Sequence, residues 1–190
     1  MVINMINKVI KMPKVLHELN GEKTPLFTLI MVYLIGVLAA GVVVFLILPS
    51  ELPTWKIVLV GILYLDITGG VVANLSTSTN QHYQGKTKLR VAFTMLHILH
   101  PLLFTIIFPE AWSYFIFVGV YTLVSVGLVH ISSDVEYQQN LASALVVLGI
   151  VISGTFDVPQ KIFYSVAPLF MIKLILGFAV QRPNLISTRE

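Results

Sequence analysis

Four ionisable side chains interrupt stretches that are otherwise apolar, and any chemistry this chain performs must start from them: Asp66, His97, His100 and Lys173. An ionised group inside a hydrocarbon layer is costly. Such groups face a partner or a wet cavity, where they mark ion and substrate pathways, proton relays or buried pairs. Counted along helices, Asp66 lies about 11 residues below Trp55, His97 about 11 below Phe108 and Lys173 about 11 below Ile162, so these three share one level. His100 follows His97 by about one turn.

Several chemistries fit these residue types. Asp66 and Lys173 would neutralise each other as an ion pair if their helices adjoin, whereas an unpaired Lys173 would thread its stem toward the headgroups. His97 and His100 suit a proton relay or metal ligation, or else sit as neutral imidazoles that satisfy buried polar groups. Pro101 follows them and lacks an N–H, which frees the carbonyl of His97 for a histidine, hydroxyl or water. Asp66, His97 and His100 together would offer three ligands and an open position to zinc or iron. Lys173 competes there as the cation for Asp66, so no cofactor is expected. Haem held by His97 and His130 is disfavoured, because those residues differ in depth by about 10 Å.

Helical periodicity from Asp66 runs through Gly69, Gly70, Ala73, Asn74, Thr77 and Gln81, a small and polar stripe that suits a cavity or path lined by these residues or, failing that, close helix packing with Asn74 hydrogen-bonding across the contact. His130 stands one turn before Asp134, as an exposed i,i+4 pair would. Segment 76–88 is rich in hydroxyls and amides and carries His82 and Tyr83 ahead of the basic Lys86, Lys88 and Arg90, which reads as a solvated loop with a basic anchor. Phosphate-cradling glycine loops, serine nucleophile elbows and paired carboxylates are absent from the sequence.

The elements that must position these groups follow from composition. The 190 residues are 56% hydrophobic and 11% charged, without cysteine, and the mean hydropathy is +0.88. A water-soluble globule, a disordered chain and a disulfide scaffold are all excluded. Six apolar runs approach the roughly 20 residues that a helix needs to cross a bilayer: 25–48, 55–75, 89–108, 112–132, 141–156 and 162–180. The fifth is short, unless it begins within Tyr137, Gln138, Gln139 and Asn140. The expected fold is therefore all-α, a polytopic integral membrane protein with six transmembrane helices in one bundle over 25–182. A cytoplasmic tail (183–190) follows it. The preceding segment, 1–24, places Val2, Met5, Ile6, Val9, Met12, Leu16 and Leu19 at helical spacing and predicts an amphipathic interfacial helix, kinked at Pro13.

Orientation follows from Lys and Arg. One side takes Lys8, Lys11, Lys14, Lys23, Lys86, Lys88, Arg90, Arg182 and Arg189, and the other takes Lys56 and Lys161, which puts both termini in the cytoplasm of a cell bounded by this membrane. The net charge of +3 then points to anionic lipid headgroups at the inner face rather than to nucleic acid. A homodimer would cover part of the apolar outer surface. The ranked expectation for function is a polar intramembrane site of Asp66, Asn74, His97, His100 and Lys173 that binds or translocates a proton, ion or small solute. Behind it come a membrane-embedded enzyme acting on a lipid or other apolar substrate, and an accessory or assembly subunit of a membrane complex.

Overall fold

Prolines and capping side chains divide the chain where its apolar runs end. The computed structural model describes residues 8–132 and 134–182. Its six helices long and apolar enough to cross a membrane are α1 (Leu26–Ile47), α2 (Thr54–Leu75), α3 (Thr87–Ile107), α4 (Trp112–Ile131), α5 (Val135–Ser153) and α6 (Lys161–Ala179). Pro25 and Pro53 precede α1 and α2, where a fixed φ and a missing N–H cost a helix nothing. Asp134 caps α5, its Oδ1 accepting the Tyr137 N–H at 2.7 Å. Helix α5 thus begins at Val135, ahead of the polar Tyr137–Asn140 stretch within which the earlier start was expected, and it stops at Ser153 rather than continuing to residue 156.

Helix α6 is the most enclosed of the six. It packs against α2, α4 and α5, while α1 leans chiefly on α2. At the end of the bundle away from the basic residues, Phe104, Phe108, Tyr114, Phe115 and Phe163 form an aromatic plug, with Phe104 and Phe115 stacked at 5.0 Å. Two tyrosines satisfy the irregular start of α6 there. Tyr64 donates to the Ile162 carbonyl at 3.1 Å, and Tyr114 donates to that of Phe163 at 2.9 Å.

Four local readings of the sequence are corrected. Residues 8–25 do not form an interfacial helix. Val9–Lys11 pairs antiparallel with Lys23–Pro25, and only His17–Asn20 between them is α-helical. Pro13 cannot donate within a helix, and Gly21, at φ 78°, turns the chain through left-handed backbone that ends the short helix. Residues 1–7, the rest of that expectation, and the tail 183–190 lie outside the described residues. Helix α3 is interrupted at His97 and Ile98, where the N–H groups of His97, Ile98 and His100 reach carbonyls three residues back. The carbonyl that Pro101 frees is taken by the backbone N–H of His100, at 3.2 Å. His130 and Asp134 are not a helical pair, because α4 ends at Ile131 and Asp134 serves α5. Finally, α2 stops at Ser76, so Thr77 and Gln81 belong to a separate short helix, Thr77–His82.

The small-residue stripe is divided between two neighbours. Gly69 faces α1, where an added Cβ would stand 3.0 Å from the Val32 carbonyl oxygen. Gly70 faces α6. Replacing Gly69 with Leu is expected to force α1 off α2 and lower stability by about 2–3 kcal/mol, read as thermal unfolding in detergent. Gly41→Ala, where nothing lies within 4 Å of the new methyl, should leave stability unchanged or raise it by up to about 1 kcal/mol.

Candidate functional site

Asp66 sits about 9 residues, or 13 Å, from the end of α2 that Leu75 marks. Its carboxylate meets two cations or donors from different helices. Lys173 Nζ on α6 donates to Asp66 Oδ2 at 2.5 Å and to the Asp66 backbone carbonyl at 3.2 Å. His100 Nε2 on α3 lies 2.6 Å from the same Oδ2. Asp66 Oδ1 has no hydrogen-bond partner among the described residues. Helices α2, α3 and α6 are therefore joined at one oxygen atom.

The sequence around each partner fits this geometry. Lys173 crosses Gly70, and a Cβ there would fall 2.8 Å from Nζ, so only glycine leaves room for the lysine stem. Asn74, one turn along α2, donates from Nδ2 to the Lys173 carbonyl at 3.1 Å. Lys173 itself stands in a π-helical stretch, Ile172–Ala179, a wide-turned geometry that occurs mostly as short inserts at functional positions. Its carbonyls are met by side chains from elsewhere. Arg90 donates to Phe178 at 2.8 Å, and Arg182 donates to Leu176 and Gly177 at 3.1 and 3.0 Å. Arg182 also reaches the Asn74 carbonyl.

His97 does not touch Asp66. Its Nδ1 is 2.7 Å from the Phe93 carbonyl, which makes it the protonated nitrogen, and its ring stacks on His100 with centroids 5.2 Å apart and planes inclined by 7°. Phe170 of α6 covers both rings. When His100 donates from Nε2 to Asp66, its Nδ1 is the unprotonated position, and that atom is buried without a partner among the described residues. Asp66, His97 and His100 do not form a three-ligand cluster; the one group of that kind among the described residues lies elsewhere, at the basic end.

Lys173 is 1% exposed while the Asp66 side chain is 38% exposed. The opening is a cavity of about 40 Å³ lined by Leu19, Val32, Tyr33, Leu65, Asp66, Gly69 and Gly70, room for about three waters at most. Leu19 belongs to the segment before α1, and that segment is tied down by hydrogen bonds from Asn20 Nδ2 to Tyr33 Oη, from Thr79 Oγ1 to the Leu19 carbonyl, and from Tyr83 Oη to the Glu18 carbonyl. Burial pushes the Tyr83 phenol well above its ordinary range.

Asn20, Tyr33 and Arg90 belong to the surroundings of the site, and sequence reasoning did not single out any of them as such. For Arg90 a signal existed: Arg90, Thr94, His97, Pro101 and Phe104 recur at one helical face, and all five are buried. For Asn20 and Tyr33 no spacing announces the contact. Comparison with known proteins finds no family model, no curated protein and no solved structure that matches this chain.

Removing one member of a buried pair strands the other charge, at a cost of about 3–5 kcal/mol, whereas removing both costs less than the sum. Asp66→Asn and Lys173→Met are each expected to lose about that much. The double variant should be no less stable than the worse single one, measured by thermal unfolding in detergent. Additive losses would mean that the two residues do not interact.

Proposed function

We propose that this chain is a multi-pass protein of the cell membrane, with both termini cytoplasmic, and that its Asp66 centre binds a proton whose arrival is coupled to movement of α6. Six helices of spanning length and the outward-facing apolar residues of α1, among them Phe27, Leu34, Val37, Leu38 and Phe45, support the membrane setting. The concentration of Lys and Arg at the end that holds residues 8–25, the Thr77–His82 helix and Arg182 supports the orientation. Anionic headgroups are the expected partners at that end, and the outer faces of α1 and α5 are left to lipid or to a second copy.

The observation that carries the proton reading is the convergence of Lys173 and His100 on one oxygen of a partly exposed carboxylate that lines a water-sized cavity. With His100 neutral, Asp66 and Lys173 sum to zero charge. One added proton, on Asp66 or on His100 Nδ1, leaves one uncompensated positive charge in an apolar interior. The centre must then release a proton or rearrange. The π-helical turn that carries Lys173 is the part of α6 with an alternative hydrogen-bond register at hand, because a shift to α-helical geometry conserves its backbone bonding. A cavity of about 40 Å³ gives no support to a lipid headgroup or bulky solute at Asp66, nor to an enzyme acting on one there.

The closure of charges also suits an accessory subunit whose polar residues only fix helix packing. Reconstitution separates the two readings. In liposomes holding a pH-sensitive dye and subjected to a pH step, the wild type should pass protons faster than protein-free vesicles, and Asp66→Asn should reduce the excess at least tenfold. His100→Gln keeps a donor to Asp66 but cannot accept and release a proton, so it should keep most of the stability while slowing the flux. Stability losses in Asp66→Asn without any protein-dependent flux in the wild type would favour the accessory reading.

A further inference from the structure

At the basic end, three potential metal ligands come together from distant parts of the chain. His17 lies in the short helix His17–Asn20, Glu22 follows it before the second strand, and His82 ends the Thr77–His82 helix. One ligand atom from each lies within 4.8 Å of the other two. His82 Nδ1 is 3.4 Å from Glu22 Oε1, and the two imidazoles meet edge to face at 5.7 Å. His17 Nε2 is 2.9 Å from the Met12 carbonyl. That bond fixes the proton on Nε2 and leaves Nδ1 as the free lone pair, the arrangement by which ligating histidines are held and made more basic. The cluster already attracts a cation, since Lys86 Nζ stands 3.6 Å from Glu22 Oε1 and 3.5 Å from His82 Nδ1.

We propose that His17, Glu22 and His82 form a site for a divalent transition-metal ion of the zinc class. Two imidazoles and a carboxylate make a borderline donor set, preferred by zinc and its first-row neighbours over magnesium or calcium. Ligand atoms around a tetrahedral zinc stand about 3.4 Å from one another. Contraction from the present spacing needs rotation of Glu22, whose side chain is 59% exposed, and displacement of Lys86, which is 44% exposed. Water would complete the coordination. Because the ligands lie on both sides of the contact between the strand-paired segment and the helix after α2, the ion would clasp that segment in place. Leu19, two residues beyond His17, lines the cavity at Asp66. The metal site is independent of the proton reading, since its ligands include no member of the Asp66 centre.

The test uses the full chain, free of any metal-binding tag, purified in detergent and stripped with a chelator. Calorimetric titration with Zn²⁺ should give one equivalent per chain, and Co²⁺ should produce a visible absorption band of a coordinated imidazole and carboxylate set. Glu22→Gln and His82→Gln should each weaken Zn²⁺ binding at least tenfold, whereas Lys86→Met, which removes the competing ammonium, should tighten it. Zn²⁺ should raise the melting temperature of the wild type and not that of Glu22→Gln, a variant at an exposed position that keeps the fold. Absence of a one-equivalent site, or binding that the Glu22 and His82 substitutions leave unchanged, would overturn the proposal.

Discussion

A fully buried ammonium held against a partly exposed carboxylate forms the constraint on which the rest of the bundle depends. Once Asp66 and Lys173 are placed about halfway along α2 and α6, neither helix can slide or rotate without separating them. Glycine is then required at position 70, because the lysine stem occupies the space of its side chain. Asn74 is placed to hold the lysine's own carbonyl, and a third helix must approach closely enough for His100 to share the carboxylate. The most enclosed helix carries the most costly residue, which is the order expected when burial of a charge decides the packing.

The same requirement accounts for the irregular backbone of α3 and α6. Wide or tight helical turns leave carbonyls misaligned, and an apolar interior offers no water to satisfy them. Here they are answered by side chains: Arg90 and Arg182 at the π-helical stretch, Tyr64 and Tyr114 at the opposite end of α6. Two arginines that charge counting assigns to the loops thus do part of their work inside the bundle. They still count toward the basic end, so the charge asymmetry behind the proposed orientation and the internal bonding draw on the same residues.

The six helices were legible because spanning length and hydropathy act over some twenty residues at once, and local errors average out. The shared level of Asp66, Lys173 and His97 could be read by counting turns, yet the partner of Asp66 on α3 is His100 and not His97. The difference lies in the tightened turns at His97 and Ile98, which change the rotation of everything after them, and a count at a uniform 3.6 residues per turn misses that. The strand pairing of Val9–Lys11 with Lys23–Pro25 was hidden for a different reason. The apolar spacing of 2–19 suits a helix, but Gly21 and the bonds made by Asn20 and Tyr83 to distant partners override local periodicity.

Access to Asp66 is unequal from the two ends. Toward the basic end, Leu19 of the strand-paired segment lines the cavity beside Tyr33, and that segment is held both by side-chain hydrogen bonds and by the burial of Met12, Asn20 and Thr24. Toward the other end stand Phe104, Phe108, Phe115 and Phe163, stacked and fully or nearly fully buried. If the Asp66 centre binds a proton as proposed, access from the basic end meets the segment that carries Leu19, and access from the other end meets the aromatic plug. On the proposed proton reading, delivery to the end that holds the aromatic plug would require a rearrangement of α6, because that helix carries both Lys173 and Phe163.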